Sequence, residues 1–168
     1  YRQGAFTVND GIRYTFKKYG YKADDSWVFE PGYGWTYGEK GTGKTFHNKN
    51  VLINGRNYYF NSIGYWGDTV NLSNSNSYKF SIVQNKVYLN DSNSNRIMQN
   101  FKYKGKLYHV NPVHGYLSVE DGWYDLGTKY VYLSSGELGS EIHEMLSNGI
   151  DISYYQDPSE IDYNKLAN

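Results

Sequence analysis

The stretch Val51-Leu52-Ile53-Asn54-Gly55-Arg56-Asn57-Tyr58-Tyr59-Phe60 decides the fold class. Two short apolar and aromatic runs flank an Asn-Gly pair, which tolerates the positive φ angles that a two-residue hairpin turn needs. A hairpin with strands at 51–53 and 57–61 is therefore expected. Working outward, further strand candidates are 12–22, 27–29, 80–89, 101–110 and 129–133. Asn9-Asp10-Gly11 and Lys104-Gly105 are candidate closures of other hairpins. Composition agrees, with 20 Tyr, 4 Trp and 18 Gly in 168 residues of which 39% are hydrophobic. Tyrosine suits a pleated, half-buried surface. The length allows one ordinary domain or two small ones.

The absence of cysteine excludes a disulfide framework and a Cys-type zinc site. No charged-then-apolar leader opens the chain, and no apolar run reaches the ~18 residues of a membrane span. The net charge of zero hides an asymmetry. Residues 1–134 carry 16 Lys and Arg against 10 Asp and Glu, whereas residues 135–168 carry one Lys against seven acids. Such a split implies regions with different partners. The basic part could face an anionic polymer, but it lacks the dense basic stripe of a nucleic-acid binder.

Asn71 to Ser77 is polar and turn-rich and reads as a linker. Around it, Gly55-Arg56-Asn57-Tyr58-Tyr59-Phe60 parallels Gly105-Lys106-Leu107-Tyr108-His109-Val110. Val70-Asn71-Leu72-Ser73 parallels Val131-Tyr132-Leu133-Ser134. Two β modules, 1–73 and 74–134, are expected, with one composite β domain as the alternative. Ser134-x-x-Glu137 has the form of a capping box, and Leu138, Ile142, Met145 and Leu146 recur at helical spacing. A helix over 137–147 follows, within a connecting segment 135–148. Beyond it, 149–155 has β content, and Asp157-Pro158 opens a second helix.

Residues 38–45, Gly-Glu-Lys-Gly-Thr-Gly-Lys-Thr, fit the phosphate-loop pattern. There Lys44 would reach the phosphates and Thr45 would hold magnesium. That chemistry needs a buried strand before the loop and a helix after it. Pro31-Gly32-Tyr33-Gly34 stands upstream, and the 54–55 hairpin follows downstream. The motif reads as a decoy in a hairpin loop, with no nucleotide site. His47, His109, His114 and His143 lack paired ligand spacing, so no metal and no cofactor is expected.

Asn54-Gly55-Arg56-Asn57-Tyr58-Tyr59-Phe60 followed by Gly64-Tyr65-Trp66 resembles the N-G-K-x-Y-Y-x core of bacterial surface modules, above all the cell-wall-anchoring domains of lactobacillar surface-layer proteins. Lys86-Val87-Tyr88, Lys104-Gly105-Lys106-Leu107-Tyr108 and Trp123-Tyr124-Asp125-Leu126-Gly127 fit the same scheme. Glucan- and choline-binding repeats share the N-G-x-x-Y-Y-F element, but they recur about every 20 residues, a recurrence the sequence does not display. The resemblance spans 12–134 and implies attachment to wall polymer. Candidate binding residues are Tyr58, Tyr65, Trp66, Tyr108, Trp123 and Tyr124, whose rings offer area to sugars. Lys102, Lys104 and Lys106 would attract phosphate or carboxylate in a salt-dependent way. Against this, an aromatic on a strand is more often core packing.

Gly149-Ile150-Asp151-Ile152-Ser153-Tyr154-Tyr155-Gln156, then Ile161-Asp162-Tyr163, resembles the opening of glycoside hydrolase family 25. That family implies a barrel of parallel strands cleaving peptidoglycan between N-acetylmuramic acid and N-acetylglucosamine. Tyr163 stands where the family has tryptophan. Asp151 matches the active-site aspartate at the end of the first strand. The family's second carboxylate lies in a D-x-E motif, absent from this chain, and a barrel needs about 200 residues or more. The catalytic site is therefore expected to be incomplete.

The expected fold is mainly β: one or two small β-barrel-like modules, a connecting helix, then the first strand and helix of a truncated α/β barrel at 149–168. The expected function is binding of cell-wall glycan or a teichoic-acid-like polymer, as the targeting region of a secreted, wall-associated peptidoglycan hydrolase. A stand-alone surface-layer or adhesin-type module without activity is the alternative.

Overall fold

The computed structural model describes residues 3–8, 10–73, 76–127 and 130–138. The Asn54-Gly55 reading holds. β5 (Lys49–Ile53) and β6 (Arg56–Phe60) pair antiparallel from Lys49↔Phe60 to Ile53↔Arg56. Asn54 at φ 48° and Gly55 at φ 84° give the twist that matches the strands. The same pair of positive φ values closes three more hairpins. Gln84-Asn85 joins β8 (Lys79–Val83) to β9 (Lys86–Asn90), and Lys104-Gly105 joins β10 (Asn100–Tyr103) to β11 (Lys106–Val110). Ser135-Gly136 joins β14 (Tyr130–Ser134) to β15 (Glu137–Leu138). The candidate strand 80–89 is thus two strands, because Gln84 and Asn85 turn without the glycine that announces a turn.

Upstream, β1 (Gly4–Thr7) pairs with β2 (Arg13–Phe16), and β3 (Ser26–Glu30) with β4 (Gly34–Gly38). The remaining strands are β7 (Thr69–Asn71), β12 (Leu117–Ser118) and β13 (Gly122–Asp125). The sheets run β1-β2, β3-β4, β5-β6, β12-β11-β10-β7 and β13-β14-β15-β9-β8. No closed barrel forms among the described residues, which corrects the barrel-like expectation. Closure needs every strand paired on both edges, and β3-β4 and β5-β6 form two-stranded sheets that reach beyond themselves only through isolated bridges.

The expected helix over 137–147 is also corrected at its start. Ser134 and Glu137 face each other across β14 and β15. A capping box and a two-residue hairpin share the same spacing of three, and Gly136 at φ 77° selects the hairpin. The rest of that helix, and the strand and helix expected at 149–168, lie outside the described residues. The stretch read as a linker begins inside the structure. Asn71 ends β7, which runs parallel to β10, and the Leu72 amide donates to the Lys102 carbonyl at 2.9 Å.

A repeat the sequence conceals is visible here. Among the described residues, five hairpins end in a short loop that folds back on its own strand, with bridges Phe16↔Lys22, Gly38↔Thr45, Phe60↔Trp66, Asn90↔Arg96 and Val110↔Leu117. In each loop the residue two before the bridge has positive φ: Gly20, Gly43, Gly64, Ser94 and Gly115. The units recur roughly every 20 to 30 residues. Conformation repeats while the side chains have diverged, so residue identity did not disclose it.

The core runs through the hairpins. Trp27 packs on Tyr58, Tyr37, Phe60 and Trp66, with ring centroids 4.9 to 6.3 Å apart. Phe101, Val110, Leu117, Val131 and Leu133 are fully buried. Buried Asn100 joins the two regions by donating to the Trp66 carbonyl at 3.2 Å and accepting the Val110 amide at 3.1 Å.

Candidate functional site

Strand alternation places Tyr103 and Tyr108 on the inner face of the β10–β11 hairpin. β8 brings Phe80 against both of them, with ring centroids 6.0 and 5.9 Å away. Tyr78 lies 6.0 Å from Tyr103. These four rings line a cleft of about 540 Å³, closed on one side by 125–127. Tyr103 and Tyr108 are buried, whereas Tyr78 and Phe80 are half-buried and reachable.

The rim is cationic. Lys79, Lys104 and Lys106 line the cleft and are exposed. The Lys104 ammonium sits 5.3 Å from the Tyr103 centroid, and that of Lys106 sits 5.5 Å from Tyr108 and 4.2 Å from Tyr124. Asp125 is the one carboxylate among the cleft's lining residues. Burial, then the neighbouring Tyr124 and Asp125, pushes the Tyr108 hydroxyl up to about 12. It stays protonated at ordinary pH and can donate a hydrogen bond. Aromatic walls with a cationic rim can hold a ring against apolar area while an attached anion meets ammonium groups.

Of the sequence-predicted residues, Tyr108, Lys104 and Lys106 meet in this cleft. The others are placed elsewhere. Tyr58 is buried and donates to the Pro112 carbonyl at 3.0 Å. Tyr65, 1% exposed, donates to the Glu30 carboxylate. Trp66, 2% exposed, donates to Asp68 at 2.8 Å. Tyr124 is buried and donates to the Glu120 carbonyl at 2.7 Å. Trp123 is half-buried and stacks on Tyr130 at 5.2 Å. Lys102 is exposed on β10, on the face opposite Tyr103. Asp151 and His143 lie outside the described residues.

Sequence reading missed Tyr78, Lys79, Phe80, Tyr103 and Asp125. The signal for the first three was present in the Tyr-Lys-Phe alternation directly after the polar stretch. The phosphate-loop pattern occupies one of the five fold-back loops. The Gly43 amide donates to the Glu39 carbonyl at 2.8 Å and that of Glu39 to the Lys44 carbonyl at 2.9 Å. The Thr45 hydroxyl is buried against that of Thr15 at 2.9 Å. Among the described residues no cluster of three His, Cys, Asp or Glu is placed to hold a metal, and no helix is long and apolar enough to cross a membrane.

No family model matches the chain, and no curated protein matches it. Among solved structures, alternansucrase in complex with isomaltononaose aligns over 81% of this chain and 10% of its own, at 18% identity and TM-score 0.32. The modular autolysin LytC from Streptococcus pneumoniae, in complex with a synthetic peptidoglycan ligand, aligns over 83% and 43% at 18% identity and TM-score 0.30. Choline binding protein F from Streptococcus pneumoniae aligns over 82% and 52% at 22% identity and TM-score 0.31. The chain thus spans from a tenth to about half of the length of these proteins.

Proposed function

We propose that this chain binds an anionic polymer of the bacterial cell wall and targets a larger wall-lytic protein to it. The observation that carries the reading is the cleft of Tyr78, Phe80, Tyr103 and Tyr108 rimmed by Lys79, Lys104 and Lys106. Half-buried rings offer stacking area to sugars at low entropic cost. Three exposed ammonium groups against one carboxylate favour a polymer bearing phosphate or carboxylate. The test is co-sedimentation of the chain with purified Gram-positive walls. Binding at low salt, lost as salt rises, is the expected result, with Lys104→Ala plus Lys106→Ala weakening it about tenfold. Failure of the chain to sediment at any salt would sink the proposal.

The acidic tail supports a second element of the reading. Its 149–156 octapeptide and Ile161-Asp162 resemble the start of family 25 glycoside hydrolases, with Asp151 as the candidate active-site carboxylate. In this reading the protein is secreted, 1–134 forms one or two binding modules, and catalysis needs a second carboxylate beyond this chain. Turnover of peptidoglycan by a longer protein, abolished by Asp151→Asn with wall binding intact, is the expected outcome. Muramidase turnover by the 168-residue chain itself would overturn the incomplete-site reading.

A further inference from the structure

The first fold-back loop, residues 17–22, departs from the other four. Its backbone is pinned at both ends, with Phe16 bridged to Lys22 and the Lys17 amide donating to the Tyr21 carbonyl at 2.6 Å. Every residue from Lys17 to Lys22 is nevertheless exposed. Tyr19 is 65% and Tyr21 72% exposed, the latter the most open large hydrophobic side chain among the described residues. In the loops after β6 and β11 the residue matching Tyr21, one before the bridge, is also tyrosine. There the ring is covered. Tyr65 is buried, with the Tyr33 ring stacked 5.4 Å away, and Tyr116 lies beside Tyr88 with the Lys86 ammonium 3.8 Å from its centroid.

Tyr19 is also a conformational exception. It holds φ 69°, whereas the residues three before the bridge in the other loops, Thr42, Ile63, Asn93 and His114, all lack positive φ. A ring-bearing residue in the left-handed region is strained by its own Cβ, and strain of this kind gathers where side chains meet ligands. The loop is cationic as well. Lys17, Lys18 and Lys22 have no ion-pair partner among the described residues. The Lys18 ammonium sits 5.3 Å from the Tyr19 centroid, and that of Lys22 sits 3.8 Å from Tyr14. The adjoining carboxylates are engaged elsewhere. Asp24 accepts the Gly41 amide at 2.6 Å, and Asp25 accepts the Tyr37 hydroxyl. Asp10, in the field of Lys22, accepts the Ile12 amide at 2.8 Å and the Tyr14 hydroxyl at 2.9 Å.

We infer that this loop is a second contact for an anionic, sugar-bearing polymer. Tyr19 and Tyr21 are its open stacking faces, and Lys17 and Lys18 meet phosphate or carboxylate. Charge decides the occupant. A second copy docked loop to loop would set like ammonium groups against each other, whereas a polyanion is drawn to them. None of these residues lines the aromatic cleft, so a polymer held at both places gains affinity through linkage. That the polymer belongs to the wall rests on the proposed function. The loop's own chemistry does not.

The test titrates the full chain with purified wall teichoic acid and follows the Tyr19 and Tyr21 ring protons by NMR. Saturable shifts are expected, and they should persist in Lys104→Ala plus Lys106→Ala, which strips the cleft rim. Lys17→Ala plus Lys18→Ala should weaken the loop's affinity about tenfold. Tyr19→Gly should weaken it about fivefold without lowering the urea midpoint, because glycine takes φ 69° freely. A purely structural Tyr19 would leave the titration unchanged. That result, no shift of either ring, unchanged affinity in the lysine variant, or loss of the shifts with the cleft rim overturns the inference. So do ring shifts that grow with protein concentration alone, the mark of self-association. Wall sedimentation separates the two proposals. If the rings never shift while sedimentation still depends on Lys104 and Lys106, the cleft stands and the loop falls. If the chain never sediments while the rings shift, the wall reading fails and the loop remains a polyanion contact.

Discussion

His109 shows how a single position ties burial to pH. Burial holds its pKa below the ordinary 6.5, so the folded protein keeps the imidazole neutral where the unfolded chain would already protonate it. The unfolded state therefore binds more protons below about pH 6.5, and stability falls as pH drops through that value. Urea midpoints measured from about pH 7.5 to 5 should decline, and His109→Gln should flatten the His-dependent part of the slope. Trp66 shows a residue whose role is packing. It is 2% exposed and shares the Trp27 cluster, so Trp66→Ala should cost about 3–5 kcal/mol of folding stability, read by chemical denaturation. Any loss of wall binding in that variant would follow the loss of fold.

At the level of the hairpin, turn geometry and function compete at one position. Lys104 adopts φ 51° at the first place of a turn where asparagine is favoured. Lys104→Asn should therefore raise stability, by about 0.5–1 kcal/mol, in a thermal or urea melt. The same change removes an ammonium from the cleft rim and should weaken wall sedimentation. Opposite signs in the two measurements are the expected outcome. The fold-back loops show why the phosphate-loop spelling misleads. A Cβ on Gly38 would collide with the Ala23 carbonyl, whereas one on Gly41 would meet nothing within 4 Å. Gly38→Ala should cost about 2–4 kcal/mol, and Gly41→Ala, at φ 86°, about 1–2 kcal/mol, from the left-handed backbone alone.

Across the whole molecule, Arg56 fastens the central hairpin to the following region. Its guanidinium donates to the Met98 carbonyl at 2.6 Å and the Pro112 carbonyl at 2.9 Å, and it lies 5.1 Å from the Tyr58 ring and 5.4 Å from Trp66. A lysine has neither the fork nor the planar face. Arg56→Lys should lower stability by about 1–2 kcal/mol, seen as an earlier denaturant midpoint. β7 with β10, and β9 with β15, pair strands far apart in sequence. The Lys86–Glu137 ion pair at 3.5 Å reinforces the second junction.

The sequence by itself determined the hairpins at Asn54-Gly55 and Lys104-Gly105, because a turn is local chemistry, but not those at Gln84-Asn85 and Ser135-Gly136. Asn54-Gly55 and Lys104-Gly105 hold backbone angles that few residue pairs tolerate, and their flanking runs have little choice but to pair. It also disclosed that Lys104, Lys106 and Tyr108 stand together on one hairpin. Only the tertiary structure decided which tyrosines are core and which face the cleft. Tyr58 on β6 and Tyr108 on β11 share a motif and an alternation pattern, and Tyr65 follows in a fold-back loop, but the burial of each ring depends on the neighbouring segment that covers it. That neighbour comes from distant sequence: Glu30 for Tyr65, Pro112 for Tyr58, Phe80 for Tyr108. Period-two spacing says which face a side chain takes. What lies against that face is fixed by long-range packing, which no local pattern encodes.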